Sequence, residues 1–175
     1  FYDFLNGPAR DCQALYILGD LFEYWIGDDD GLVQHVDEVA ALQSLSAKGV
    51  SLYFMHGNRD FLIGQDFAQA TGATLLDDPC VIDLYGRRTL LAHGDAQCTD
   101  DTEHQAFRAV SRNEANKQRL LALPVEQRRQ MAQGLRAISM QNQKTGYKPE
   151  DITDVNPQTI SEVMQHYDVR LMIHG

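Results

Sequence analysis

His56-Gly57-Asn58-Arg59-Asp60-Phe61 is the stretch whose reading decides the fold. It follows Val50-Ser51-Leu52-Tyr53-Phe54-Met55, a run that is short and rich in β-branched and aromatic residues, as a buried strand is. Where that strand ends, an imidazole, a glycine, an amide, a guanidinium and a carboxylate follow one another. Each such group must find a partner or stay hydrated, so packing alone does not account for them. Metal and phosphate chemistry would use every one.

The same pattern recurs along the chain. Ala14-Leu15-Tyr16-Ile17-Leu18 runs into Gly19-Asp20, Thr89-Leu90-Leu91-Ala92 into His93-Gly94-Asp95, and Val169-Arg170-Leu171-Met172-Ile173 into His174-Gly175. In layered α/β proteins, sites form in the crevice at the carboxyl ends of the strands. Strands that deliver oxygen and nitrogen ligands at the same end are predicted to focus them on one point.

Working outward, residues 32–47 are predicted to form a helix, with Leu32, Val36, Val39 or Ala40 and Leu42 on one side and Lys48-Gly49 closing it. Strand, helix and strand then make a βαβ unit. Phe1 to Asn6 reads as the tail of a helix stopped by Gly7-Pro8, so an earlier portion of the protein is expected. Phe61 to Ala70 reads as a short helical piece closed at Gly72. Cys80–Leu84 and Arg88–Ala92 flank Tyr85-Gly86-Arg87 as a hairpin. From Asp100 to about Gln143 the pattern is helical and broken once, at Pro124; Pro157 then opens a further helix at its first turn. The expected architecture is α/β: a layered β-sheet core flanked by helices, one domain over 1–175, with a helical cap insertion at about 100–148.

A chain of 175 residues with 43% apolar and 23% charged side chains can bury a core, as a soluble globular domain does. It carries no apolar run of membrane-spanning length and no cleavable signal pattern. Cys12, Cys80 and Cys98 lack CxxC spacing and read as reduced thiols of a cytoplasmic protein. The net charge of −10 conceals an asymmetry. Residues 1–104 hold 5 basic and 18 acidic side chains (−13), residues 105–148 hold 9 and 2 (+7), and residues 149–175 hold 1 and 5 (−4). The overall sign argues against nucleic acid as a partner. The basic middle segment suits phosphates or an anionic membrane surface.

Three residues at strand ends carry the chemistry. Asp20 offers an anionic oxygen able to bridge two cations, Asn58 a neutral amide oxygen and His93 a ring nitrogen. A mixed O and N set suits Mn²⁺, Fe²⁺ or Zn²⁺ better than Ca²⁺. Two such ions roughly 3.5–4 Å apart can clamp a phosphoryl group and generate hydroxide. Taken singly, each has a plainer reading: a turn or cap aspartate, a turn asparagine, a satisfied strand-end histidine. Arg59 is placed to grip phosphate oxygens in a forked pair of hydrogen bonds, or else to pair with Asp60. His56 and Asp95 either orient ligands or satisfy a backbone turn. The acidic run Asp28-Asp29-Asp30 reads as a solvated loop in preference to a metal site.

Gly19-Asp20, Gly57-Asn58 and His93-Gly94, in this order, resemble the calcineurin-like metallophosphoesterase superfamily. The longer strings LYILGDLFEYWIGDD (15–29), HGNRDFLIG (56–64), YGRRTLLAHGD (85–95), CTDD (98–101), AFR (106–108) and DVNP (154–157) are similar to its branch acting on the lipid A precursor UDP-2,3-diacylglucosamine. The resemblance implies two divalent metal ions, Mn²⁺ foremost, and water attack on the α-phosphorus to give UMP and 2,3-diacylglucosamine 1-phosphate. It implies a peripheral enzyme on the cytoplasmic face of the bacterial inner membrane. Asp20, Asn58 and His93 match the catalytic metal ligands, and Asn58 and Arg59 match phosphate contacts. Asp101 matches a glucosamine-binding acid, Ser139 a substrate-contacting serine of the cap, and Lys148 the cap lysine, whereas Gln143 stands where relatives carry a small polar residue. Leu120, Leu121, Leu123, Met131, Leu135 and Ile138 would hold acyl tails, with Arg128, Arg129 and Arg136 facing lipid headgroups. The family's Asp-x-His would lie before Phe1 and its His-x-His after Gly175, so the chain is expected to be part of a longer protein, binding metal poorly by itself. The alternatives are another phosphoesterase of the superfamily, acting on a soluble nucleotide or phosphoprotein, and a metal-free scaffold of the same fold.

Overall fold

A computed structural model describes residues 1–145 and 154–175, with side chains up to Gln141 and from Asp154 onward. The chain forms two compact units, Phe1–Asp78 and Pro79–Gly175.

In the first unit, strands β1 (Ala14–Ile17), β2 (Ser51–Met55) and β3 (Ala73–Leu76) lie side by side in that order, all parallel. Helix α1 (Tyr2–Asn6) precedes β1, α2 (Asp28–Gln34) and α3 (Val36–Ser46) connect β1 to β2, and α4 (Gln65–Thr71) connects β2 to β3. The predicted βαβ unit is present. Strand β3 is an addition to the sequence reading: four residues after Gly72, whose φ of +76° closes α4, are too few to show a period.

The register pairs Ile17 with Phe54, so three residues further on Asp20 and Gly57 arrive level at the same end of the sheet. Trp25, Phe54 and Phe67 are almost completely buried and meet edge to face, with Phe54–Phe67 and Trp25–Phe67 centroids 5.4 and 5.3 Å apart. Burial of side chains of this size contributes about 2–3 kcal/mol each. The core therefore sits directly behind the loops that leave β1 and β2.

Two expectations are corrected here. The single helix over 32–47 is two helices, Asp28–Gln34 and Val36–Ser46, parted at His35. The His35 ring stacks on Trp25, with centroids 5.6 Å apart, and lies 4.4 Å from that of Phe22. Its backbone leaves helical geometry there, and Val36 is left exposed. The Asp28-Asp29-Asp30 run is not a solvated loop but the first turn of α2. Asp28 accepts the Trp25 indole N–H at 2.9 Å and the backbone N–H groups of Gly64 and Phe67 at 2.9 and 3.0 Å. One carboxylate thus occupies the acidic-favoured start of α2 and satisfies orphan donors at the start of α4.

In the second unit, β4 (Cys80–Leu84) and β5 (Arg87–Ala92) are antiparallel, and β6 (Leu171–His174) runs parallel to β5, in the order β4-β5-β6. The predicted hairpin is present, with Arg87 in the strand and not in the loop. Its two-residue loop, Tyr85 and Gly86, has φ of +53° and +81°, the twist that a two-residue hairpin favours. Because β5 and β6 are parallel, with Ala92 level with His174, His93 and His174 leave the sheet at one end.

The helical stretch divides into α5 (Thr102–Ser111), α6 (Glu114–Leu121) and α7 (Val125–Thr145). The break at Pro124 is found, and a second falls at 112–113. There the Asn113 side chain accepts the Asn116 N–H at 3.1 Å and caps a new helix. Helix α8 (Pro157–His166) starts at Pro157 as expected, with Asn156 accepting the N–H groups of Gln158 and Thr159. No helix among the described residues is long and apolar enough to cross a membrane.

Candidate functional site

The first unit assembles its polar groups from the backbone outward. After β1 the chain turns through Gly19 and Asp20, both at positive φ, +88° and +53°. The second is a conformation an aspartate adopts with less difficulty than most residues. The Asp20 carboxylate accepts the Arg59 backbone N–H at 2.9 Å through Oδ1, and Oδ2 lies 3.6 Å from Arg59 Nε. A Cβ placed on Gly57 would run into that same carboxylate and into the Asp20 backbone nitrogen. Residue 57 is glycine because the two strand-end loops touch there.

Asp60 holds the loops together. Fully buried, it accepts the Gly57 N–H at 2.7 Å and the Leu21 N–H at 2.8 Å, one from each loop. Burial pushes its carboxyl above the ordinary range; the Gly57 N–H opposes this and the neighbouring Asp20 charge adds to it. Arg59 does not take Asp60 as its partner, which corrects one of the two readings of that arginine. Its guanidinium lies between Asp20 and Glu23, with Nη1 3.5 Å from Glu23 Oε2. His56 bonds the Ile63 carbonyl at 2.7 Å and so fixes the far side of the loop.

Asn58 is the informative residue. Its amide oxygen is buried and has no hydrogen-bond partner. A buried acceptor left unmatched costs about 1–3 kcal/mol, and native structures keep few of them. A neutral oxygen beside a carboxylate is a fitting donor pair for a divalent cation. Within neither unit do three His, Cys, Asp or Glu side chains gather among the described residues. The first unit thus offers one carboxylate, Asp20, and one amide oxygen, Asn58, at adjoining loops.

In the second unit, His93 follows β5 half-buried. Gly94, at φ +110°, turns the chain beside His174. Asp95 then points into the start of the helical segment. Its nearly buried carboxylate lies 3.0 Å from Arg108 Nε, 3.5 Å from Arg112 Nη2 and 3.9 Å from His104 Nε2. Burial alone would raise its pKa; hydrogen bonds from His104 and Arg108 and the charges of Arg108 and Arg112 hold it well below the usual carboxylate range.

Asp101 is buried and caps α5, accepting the His104 N–H at 3.0 Å. Ser139 is exposed on α7, and Lys148 lies outside the described residues. Along α7, Met131, Leu135 and Ile138 are exposed at i, i+4 and i+7 spacing, one stripe of the helix. Leu120 and Leu123 are half-buried. Arg128 does not face outward: it is buried, and its Nε donates to the Leu123 carbonyl at 3.0 Å. Arg129 pairs with Glu126 at 2.8 Å on the surface.

Asp20, Asn58 and Arg59 thus stand together in the first unit, while His93 and Asp101 belong to the second. Sequence reasoning missed the parts played by Asp28, Asp60 and Asp95. For the first two the available signal was a buried-strand or aromatic neighbour one to three residues away, which lets a carboxylate serve the backbone.

No protein-family model matches the chain. It is 49% identical over all 175 residues to UDP-2,3-diacylglucosamine hydrolase of Marinobacter nauticus, covering 71% of that protein. It is 50% identical over 175 residues to the protein of that name in an Enterobacter species, covering 72%, and 46% identical over 172 residues to the one in Aeromonas hydrophila, covering 70%.

Proposed function

The chain belongs to the UDP-2,3-diacylglucosamine hydrolase family, and from that premise we propose how its residues divide the work. It is a hydrolase of lipid A biosynthesis that cleaves the diphosphate of UDP-2,3-diacylglucosamine. Two divalent cations, Mn²⁺ foremost, supply Lewis acidity and a hydroxide at neutral pH. Asp20, Asn58 and His93 are the side chains of this chain that would serve as ligands.

The observation that carries the reading is the buried, unmatched Asn58 oxygen at the loop that wraps the Asp20 carboxylate. The Arg59 guanidinium, now between Asp20 and Glu23, would turn to the substrate's phosphate oxygens. Its planar fork suits two of them at once. The Asp60 staple keeps both loops in place, so little reorganisation is needed as charge develops on the phosphoryl group. Asp101, Ser139 and Lys148 contact the glucosamine and its substituents.

The basic helical segment serves the lipid end. The exposed Met131, Leu135 and Ile138 stripe meets acyl chains, each buried CH₂ of which stabilises binding by about 0.8 kcal/mol. The positive balance of residues 105–148 favours the anionic cytoplasmic face of the inner membrane. Manganese titration of the full-length protein by calorimetry tests the core of this. Asn58→Ala should weaken metal binding at least tenfold with an unchanged thermal midpoint, and unchanged metal affinity would remove Asn58 from the ligand set.

A further inference from the structure

The second unit contains one cluster of buried charge that the metal reading leaves unused. Asp95 is two residues beyond His93, and three side chains of α5 and its C-cap converge on it at successive helical turns: the His104 imidazole and the Arg108 and Arg112 guanidiniums. Its main chain is held as well. The Gln105 side-chain amide donates to the Asp95 carbonyl at 2.8 Å and to the Cys98 carbonyl at 3.0 Å. Helix α5 is therefore fastened along its length to the turn that follows β5. Asp101, which opens that helix, is fastened with it.

The His93 turn does not depend on this fastening. The Gly175 N–H donates to the His93 carbonyl at 3.0 Å, the Gln97 N–H to the Gly94 carbonyl at 3.0 Å, and Leu90 to Ala92 are buried in the sheet. Loss of the Asp95 charge would leave His93 where the strand puts it and release α5.

We propose that Asp95 is a positioning residue that sets the register of α5, and with it Asp101, on the His93 turn, and so governs affinity for the sugar end of the substrate without taking part in bond cleavage. This rests on the assignments of His93 and Asp101 above. Surface ion pairs contribute little, but a carboxylate removed from water between two arginines imposes a geometry, because a displaced arrangement leaves more charge buried and unmatched.

Asp95→Asn in the full-length protein keeps the side-chain volume and the Gln105 contact while removing the charge. The expected result is a KM for UDP-2,3-diacylglucosamine raised about tenfold with kcat within about threefold, the signature of lost binding common to ground and transition states. Amide hydrogen exchange across 102–111 should quicken, while 89–92 stays protected. Unchanged KM, or a fall in kcat at constant KM as a smaller folded fraction would give, overturns the proposal. If Asp95→Asn does not fold, Arg112→Gln, which removes the outer cation at 3.5 Å, should raise KM in the same direction by a smaller factor; no rise overturns it too. A wild-type protein that leaves this substrate intact would instead break the functional reading, and the exchange measurement would still report on the anchor.

Discussion

The turns after β1 and β2 and the helices after β5 are both rich in polar groups, but they are held in different ways. In the first region, carboxylates serve the backbone. Asp60 takes one N–H from each loop, Asp28 takes two from the start of α4, and Asp20 takes that of Arg59. Behind them lies a packed aromatic core. On the outward face of the second region, side chains meet only side chains or solvent: Arg129 meets Glu126, and long apolar residues of α7 face outward. Backbone donors cannot change rotamer, so the first arrangement fixes positions to fractions of an ångström. Long side chains can, so the second allows a helical surface to adapt to a flexible ligand. A phosphoryl group needs the former and acyl chains the latter.

The comparison breaks most visibly if the first region is not rigid. Phe67 is fully buried and touches Phe22, Trp25 and Phe54. Phe67→Ala should cost about 3–5 kcal/mol by chemical denaturation, the loss of a large core aromatic together with the cavity it leaves. A cost under about 1 kcal/mol would mean that the loops close over a collapsible interior.

How far the sequence shows this contrast depends on what each residue answers to. Strands β1, β2 and β5 and their polar tips are legible because an apolar run followed by glycine and a ligand is a local pattern. The hairpin and the Pro157 start are legible because turn and cap chemistry is local too. The break at His35 is not, since it arises from a ring stacking on Trp25, ten residues earlier. Asp28 is illegible for the same reason: a carboxylate looks solvated until a loop 36 to 39 residues away brings its N–H groups. Asp60 reads as an ion-pair partner of Arg59 until the Leu21 N–H, 39 residues off, is brought to it. In the second region, Arg128 looks like a headgroup contact from its charge alone, but its stem and Nε are taken up by the Leu123 turn.

A smaller effect sharpens the comparison at the point where the two loops touch. Gly57→Ala adds one methyl against the Asp20 carboxylate. The methyl also meets the Asp20 backbone nitrogen, so the loops must part as well as the carboxylate turn. Turnover of UDP-2,3-diacylglucosamine should fall about 100-fold, the scale on which misplacing a reacting group by an ångström acts, and the thermal midpoint should fall with it. An unchanged thermal midpoint would show that the carboxylate, and not the loop, had given way.

The smallest effect on stability belongs to the outward face of α7. Leu135 is 53% exposed and sits between Met131 and Ile138 on one stripe. Replacing it with serine removes little that folding uses, so Leu135→Ser should change stability by no more than about 0.5 kcal/mol. A leucine side chain moved from water into an apolar layer contributes about 1.5–3 kcal/mol when fully buried. If α7 meets acyl chains or a bilayer, the same substitution should weaken sedimentation with vesicles containing anionic lipid by about tenfold, since 1.4 kcal/mol corresponds to that factor. Salt should weaken both proteins alike, because the basic side chains around the stripe are untouched and their attraction is screened equally. Vesicle binding that is indifferent to Leu135 but abolished by salt would assign the helical segment to charge alone and leave its apolar stripe without a role in binding lipid.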